Sequence, residues 1–136
     1  MMRVQGRCHC GSIEYVGEVD PAKVSACHCT DCQTLTGAAY RISVPAPAAT
    51  FRVTRGTPKT YLKTTADSGT PRLHAFCGNC GTPVFAMAAT GTTDNYSLRV
   101  GGLVQRAQLP PQKQIWCRSA LPWSTDLTRV PRIDRQ

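Results

Sequence analysis

The amino-acid sequence predicts a mainly β fold with little helix, on three observations. Tyr40, Ile42 and Val44 alternate with polar neighbours, as do Tyr96, Leu98 and Val100, the period-two signature of half-buried strands. Ten prolines and eleven glycines cut the chain into short runs, notably at Pro45-Ala-Pro47, Gly56-Thr-Pro58, Ser68-Gly-Thr-Pro71 and Leu109-Pro-Pro111. These spacings leave little room for a long helix, and no heptad, clear repeat or low-complexity tract is present.

In chain order, Cys8 and Cys10 stand at i and i+2, the spacing of one face of an extended strand. Two strand residues span roughly 6.6 Å, whereas two sulfurs on one zinc lie about 3.8 Å apart. The backbone or side chains must therefore bend inward, which Gly11 allows. Asp31, Cys32, Gln33, Thr34 and Leu35 form the best helical candidate, a turn or two ending at Gly37. The strand around Tyr40 to Val44 comes next, then a weaker pair at Phe51 and Val53, a β-prone run from Thr60 to Thr65, and the strand around Tyr96 to Val100. Gln114 to Arg118 reads as one more strand. Trp116 and Trp123 are expected to fold this segment over the sheet as core packing, with Cys117 a buried free thiol. At 136 residues the chain reads as one domain, residues 1–136, with a core over about 1–125 and a polar tail over 126–136.

No apolar run approaches the ~18 residues of a membrane span, and Met1 to Gly6 lacks the apolar stretch of a secretory signal. The expectation is a soluble, cytoplasmic protein with no membrane partner. In such a reducing compartment, clustered cysteines hold metal more often than they form disulfides. The formal charge is +8, from 16 Lys and Arg against 8 Asp and Glu. Seven thiolates with two Zn²⁺ remove three of these charges, leaving about +5. The basic residues are scattered rather than gathered in one block, which disfavours nucleic acid and suits a small anionic substrate such as an acidic tripeptide thiol.

The cysteines carry the functional signal. Seven of the eight fall into three clusters: Cys8-His-Cys10-Gly11, Cys27-His-Cys29-Thr-Asp-Cys32 and Cys77-Gly-Asn-Cys80-Gly81. Four sulfurs complete a tetrahedral zinc site, and three leave a zinc with an open position. Seven can therefore make one closed site and one open site. Cys77-Gly-Asn-Cys80 is a zinc knuckle in sequence form, its glycines permitting the positive φ of a tight turn. Beside it, Cys8 and Cys10 become the other half of a four-cysteine site. The knuckle can also join two sulfurs of the middle cluster; the compactness of Cys27, Cys29 and Cys32 favours the first partition, and spacing alone does not prove it.

Three sulfurs within a short loop chelate one zinc and leave its fourth position for water or substrate, as catalytic zinc does. His9 and His28 lie between paired cysteines and should point away, so His74 is the one histidine free to close that site. Zinc with three thiolates carries a charge of about −1, poor for generating hydroxide but suited to binding and deprotonating an incoming thiol. Making or breaking a carbon–sulfur bond fits better than hydrolysis of a peptide or phosphate.

These residues together resemble the glutathione-dependent formaldehyde-activating enzyme family, which includes a branch named for centromere protein V. The matching stretches are Gly6 to Tyr15, Cys27-His-Cys29-Thr-Asp-Cys32 with Thr36-Gly37, and Phe76-Cys77-Gly-Asn-Cys80-Gly81-Thr-Pro83; Phe51 to Gly56, Val100 to Leu103 and Pro110 to Trp123 also correspond. The resemblance implies an antiparallel beta-tent-type fold, a structural zinc on Cys8, Cys10, Cys77 and Cys80, and a catalytic zinc on Cys27, Cys29 and Cys32. It implies a carbon–sulfur lyase-type enzyme that condenses a small thiol such as glutathione with formaldehyde, or another small electrophile, to S-hydroxymethylglutathione or its like. Arg7, Lys23 and Arg41 flank the clusters and are candidates to receive the tripeptide carboxylates. Val104-Gln-Arg106 and Gln114 stand where many members carry an acidic turn and a histidine. Two other readings compete: a non-catalytic zinc-stabilised module that binds a protein or nucleic acid, and a thiol redox sensor.

Overall fold

The computed structural model describes residues 1–136, and its fold is mainly β. In chain order the strands are β1 (Met2–Arg7), β2 (Glu14–Val19), β3 (Ser25–Cys27), β4 (Arg41–Pro47), β5 (Arg52–Arg55), β6 (Lys59–Lys63), β7 (Arg72–Phe76), β8 (Pro83–Ala88), β9 (Asn95–Arg99) and β10 (Lys113–Ile115). One helix, α1 (Thr30–Thr36), lies between β3 and β4. A small sheet runs β1-β2-β5, and a large one runs β10-β3-β4-β9-β8-β7-β6. All neighbours are antiparallel except β10, which lies parallel to β3.

The core sits between the facing sides of the two sheets. In β1 and β2, Val4, Tyr15 and Val19 point inward while Arg3, Gln5 and Arg7 face solvent. They meet Val44, Ala46, Ala75, Val84, Phe85 and Leu98 of the large sheet. Phe51, at the entry to β5, joins the layers: its ring centroid lies 6.1 Å from Tyr15, 5.0 Å from Phe85 and 4.4 Å from Tyr96. Each fully buried side chain of this kind contributes roughly 1.5–3 kcal/mol.

The alternating runs form β4 and β9, paired from Ser43↔Arg99 to Pro47↔Asn95. Pro45 and Pro47, expected to interrupt, lie inside β4. They are tolerated because β3 pairs with β4 only from Arg41 to Ser43, so beyond that point one edge of β4 has no β3 ladder to break. The helix forms where expected. The Cys29 sulfur accepts a hydrogen bond from Cys32 N–H at 3.3 Å as an N-cap, and Gly37 closes the other end at φ 63°. Its seven residues are too short to stand alone and depend on packing. No helix is long and apolar enough to cross a membrane.

Three expectations need correcting. Cys8 and Cys10 do not lie on a strand: β1 ends at Arg7 and both occupy the turn to β2. The last strand is only Lys113–Ile115; at Trp116 the backbone enters the left-handed region (φ 57°) and breaks into a 3-10 turn over Cys117–Ser119. Trp116 and Trp123 are therefore not core residues, being 37% and 58% exposed, and Cys117 is exposed rather than buried. The reason is topological: a three-residue edge strand offers no inner face large enough to bury two indoles. Residues 126–136 are exposed and contain no strand.

The turn after β5 leans on the turn after β1. Gly56 sits at φ 74°, and a Cβ there would lie 2.2 Å from the Ser12 carbonyl oxygen. Gly56→Ala combines a left-handed penalty of about 1–2 kcal/mol with a backbone clash. It is expected to lower unfolding stability by at least about 2 kcal/mol in urea titrations; a loss below about 0.5 kcal/mol would show that this turn relaxes freely.

Candidate metal centres and active site

Two turns from different sheets bring four sulfurs together. Cys8 and Cys10 belong to the β1–β2 turn, Cys77 and Cys80 to the β7–β8 turn, and all four sulfurs lie within 4.8 Å of one another. Cys8 to Cys10 is 3.6 Å and Cys10 to Cys77 is 3.7 Å, close to the ~3.8 Å expected of thiolates sharing one zinc. Backbone N–H groups are aimed at sulfur, from Ile13 to Cys8 at 3.3 Å and from Cys80 to Cys77 at 3.5 Å. Gly11 and Gly81 supply the left-handed residues of the two turns, at φ 79° and 77°. Ser12 Oγ lies 3.1 Å from Cys10 and 3.3 Å from Cys77, and Thr82 Oγ1 lies 3.1 Å from Cys80. These contacts favour thiolate. Hydrogen bonds from Asn79 and Ser12 bring Cys10 down to about 5, and Thr82 brings Cys80 to about 7, while burial pushes Cys8 up.

Cys27, Cys29 and Cys32 form the second group, also within 4.8 Å. Cys27 ends β3, Cys29 caps α1, and Cys32 lies in its first turn. No histidine or carboxylate joins either group. His28 points away from the sulfurs, fully buried with Nε2 2.8 Å from Gln114 Oε1. His74 is engaged through Nδ1 by an Arg99 N–H at 3.3 Å, so it does not close the trio. Both donor sets can hold a metal ion.

The surroundings of the trio were not legible before the register was known. Strand alternation turns Val44, Phe85 and Leu98 to the core, so the opposite face of the large sheet carries their neighbours. Pairing aligns Cys27 with Arg41, Ser43 with Arg99, Tyr61 with His74 and Lys63 with Arg72. One sheet face therefore bears Arg41, Arg99, Lys63 and Arg72, with the trio and α1 upon it. Arg41 and Arg99 are only 4% and 9% exposed, and neither pairs with a carboxylate. Lys63, also buried, meets Asp31 of α1 at 3.2 Å, and Asp31 accepts a second bond from the Thr65 hydroxyl at 2.8 Å. The Thr65 bond and Lys63 hold the Asp31 carboxyl below its ordinary range.

A cavity of about 180 Å³ opens over the trio. Its wall includes all three cysteines, Lys63, Arg72 and Trp116. Arg118 of the last 3-10 turn reaches Asp67 at 2.6 Å and stacks 5.3 Å from the Trp116 ring, tying the loop before β7 to the segment after β10. Of the three cations proposed from sequence, Arg7 and Lys23 are exposed and none of the three lines this cavity, Arg41 being buried beside it. Lys63 and Arg72 line it instead. Lys63 falls in the β-prone run from Thr60 to Thr65, whereas Arg72, on a strand the sequence did not reveal, carried no signal.

Charge sharing within the trio is uneven. Cys32 is brought down to about 5, first by a hydrogen bond from Cys27, then by Cys29, Arg41 and Arg99; the same bond pushes Cys27 up. Burial, reinforced by Arg99, Arg41, Lys63 and Arg72, drops His74 to about 3, so it stays neutral.

The geometry agrees with the comparisons. The chain shares a fold and 27% sequence identity with a Rhodobacter sphaeroides protein of known crystal structure, at a TM-score of 0.61, over 81% of this chain and 98% of that one. No curated protein matches it significantly. The model of the family described as glutathione-dependent formaldehyde-activating enzyme matches residues 3–119, a span that holds both cysteine groups, and the chain belongs to that family.

Proposed function

We propose that this chain is a zinc-dependent carbon–sulfur lyase-type enzyme that condenses a small thiol such as glutathione with formaldehyde, or another small electrophile, to the S-hydroxymethyl adduct. The observation that carries this reading is the contrast between the cysteine groups: four sulfurs interlocked by two turns, and three facing a cavity floored by cations. Thiolate-only donor sets at these separations suit zinc. Cys8, Cys10, Cys77 and Cys80 would hold a structural ion, and Cys27, Cys29 and Cys32 a catalytic one. Zinc bound by the trio supplies a site that holds an incoming thiol as its thiolate.

The protein's own groups do the rest. Lys63 and Arg72 attract the carboxylates of an acidic thiol toward the trio. Arg41 and Arg99 place positive charge under sulfurs that carry negative charge, which makes a trithiolate tolerable in a poorly solvated site. Trp116 and Asp67, the latter held by Arg118, wall the cavity, so that thiol and carbonyl would meet with few competing waters. In the net reaction the C–S bond forms, the S–H proton passes to the carbonyl oxygen, and nothing is oxidised. All eight cysteines are free, which suits a reducing compartment such as the cytoplasm.

Purified protein is expected to contain about two zinc ions per chain. Cys29→Ala should lose one and remain folded. Cys77→Ala should lower the stability of the whole domain, because a structural zinc site contributes directly to folding. Equal melting of the two variants would assign the trio a purely structural role.

Exchange spectroscopy with ¹³C-formaldehyde and glutathione reads the reaction itself. Wild-type protein should accelerate interconversion of free and thiol-bound formaldehyde, and Cys29→Ala should not. No acceleration with glutathione or other small thiols would leave a non-catalytic module as the better account.

A further inference from the structure

A second cavity, of about 290 Å³, lies on the same sheet face beside the trio's site. Leu35 of α1, Phe76 and Pro83 give it apolar walls, and Tyr61 stands at its rim, half exposed. Its polar lining is different in kind. Arg41 is 4% exposed, yet its side chain makes no hydrogen bond and no ion pair with the protein, and its Nε is buried without a partner. Arg99, next to it, shares the unpartnered Nε but differs at its terminal nitrogens, which donate to Ser43 at 2.9 Å, to Ser97 at 3.3 Å and to His74 at 3.3 Å.

A guanidinium carries five N–H donors, and Arg41 satisfies none of them within the protein, its terminal nitrogens being left free for an incoming acceptor. Negative charge on the nearby trio offsets the cation through space but accepts none of those hydrogen bonds. A carboxylate does, because its two oxygens match the guanidinium fork. The remaining lining sets the rest of the ligand. The apolar walls exclude a multiply charged oxyanion and suit a hydrocarbon body, and His74, whose Nδ1 faces Arg99, offers one more polar edge.

We propose that this cavity is a binding site for a small carboxylic acid with an apolar body, its carboxylate held by Arg41. The site is separate from the thiol cavity, since the two share no lining residue. It therefore stands whether or not the thiol–formaldehyde reading does.

The test uses zinc-loaded, full-length protein and 4-fluorophenylacetate, followed by ¹⁹F NMR. Saturable binding is expected, weakened at least about tenfold for the neutral 4-fluorophenylacetamide. Arg41→Met should lose the acid's binding to a similar degree and Arg41→Lys should recover part of it. Should Arg41→Met fail to fold, Leu35→Trp decides: it fills the cavity from α1 with Arg41 intact and is expected to abolish binding while the circular dichroism stays that of wild type. Absence of saturable binding, equal binding of acid and amide, or binding indifferent to Arg41→Met or Leu35→Trp would each overturn the site and leave Arg41 only as a counter-charge to the trio.

Discussion

Two turns meet where four sulfurs converge, and the relation between the two sheets depends on that meeting. Each turn is closed on itself: Cys8 N–H bonds the Ile13 carbonyl at 3.0 Å, and Cys77 N–H bonds the Thr82 carbonyl at 2.9 Å. They are joined at the sulfurs, where Ser12 Oγ reaches Cys77 at 3.3 Å, and by His9 N–H to Thr82 Oγ1 at 3.0 Å. Cys8 and Cys77 are at the same time members of the hydrophobic core, buried among Val4, Ile13, Tyr15, Val84 and Phe85. The sulfur cluster thus belongs to the packing rather than decorating it. The two segments are far apart in sequence, so an ion gripping both removes much of the loop-closure freedom of the unfolded chain.

The opposite face of the large sheet obeys another logic. Four cations lie on it, and two of them are buried without carboxylates, an arrangement that is costly unless negative charge stands nearby. The trio supplies that charge. Its sulfurs and the guanidinium groups beneath are mutually stabilising, and together they favour a ligand that arrives as an anion or becomes one on binding. Hydrolytic chemistry asks instead for a strongly electrophilic centre able to make hydroxide, which thiolate donors oppose. The same electrostatic balance thus fits the proposed thiol addition better than it fits peptide or phosphate cleavage.

What could be read beforehand depended on how local each signal was. The cysteine spacing survives any fold, so the trio and the two pairs were legible in sequence, while which of them share one site was left open by spacing alone, and the Cys8–Cys10 pair proved to sit in a turn. The helix declared itself by Gly37, and β4 and β9 by alternation. β7 and β8 were missed because Arg-Leu-His-Ala-Phe mixes charge with apolar residues and Pro-Val-Phe-Ala-Met-Ala barely alternates, the mark of a strand buried along most of its length. Lys63, Arg72 and Arg99 look like ordinary surface cations until the register of β4, β9, β6 and β7 is known. Trp116 and Cys117 misled because aromatic and sulfur side chains usually signal burial, whereas here both are exposed, with Trp116 at the wall of the cavity over the trio.

Sheet order then raises a geometric demand. Cys27 on β3 and Lys63 on β6 are five strands apart, which in a flat sheet would separate them by about 24 Å. Yet both line one cavity, and Lys63 touches Asp31 of the helix that follows β3. Side-chain reach covers only part of that gap, so the large sheet must curl around the trio. The curl has an anchor: β7 carries Arg72 and His74 on the face that bears the trio and runs directly into Cys77, while the core side of the same strand buries Ala75. The four-sulfur turn pair therefore fixes the far wall of the site whose near wall is the trio. The closed cysteine group and the open one are coupled through a single strand, and the position of the cations over the cavity follows from the integrity of the anchor.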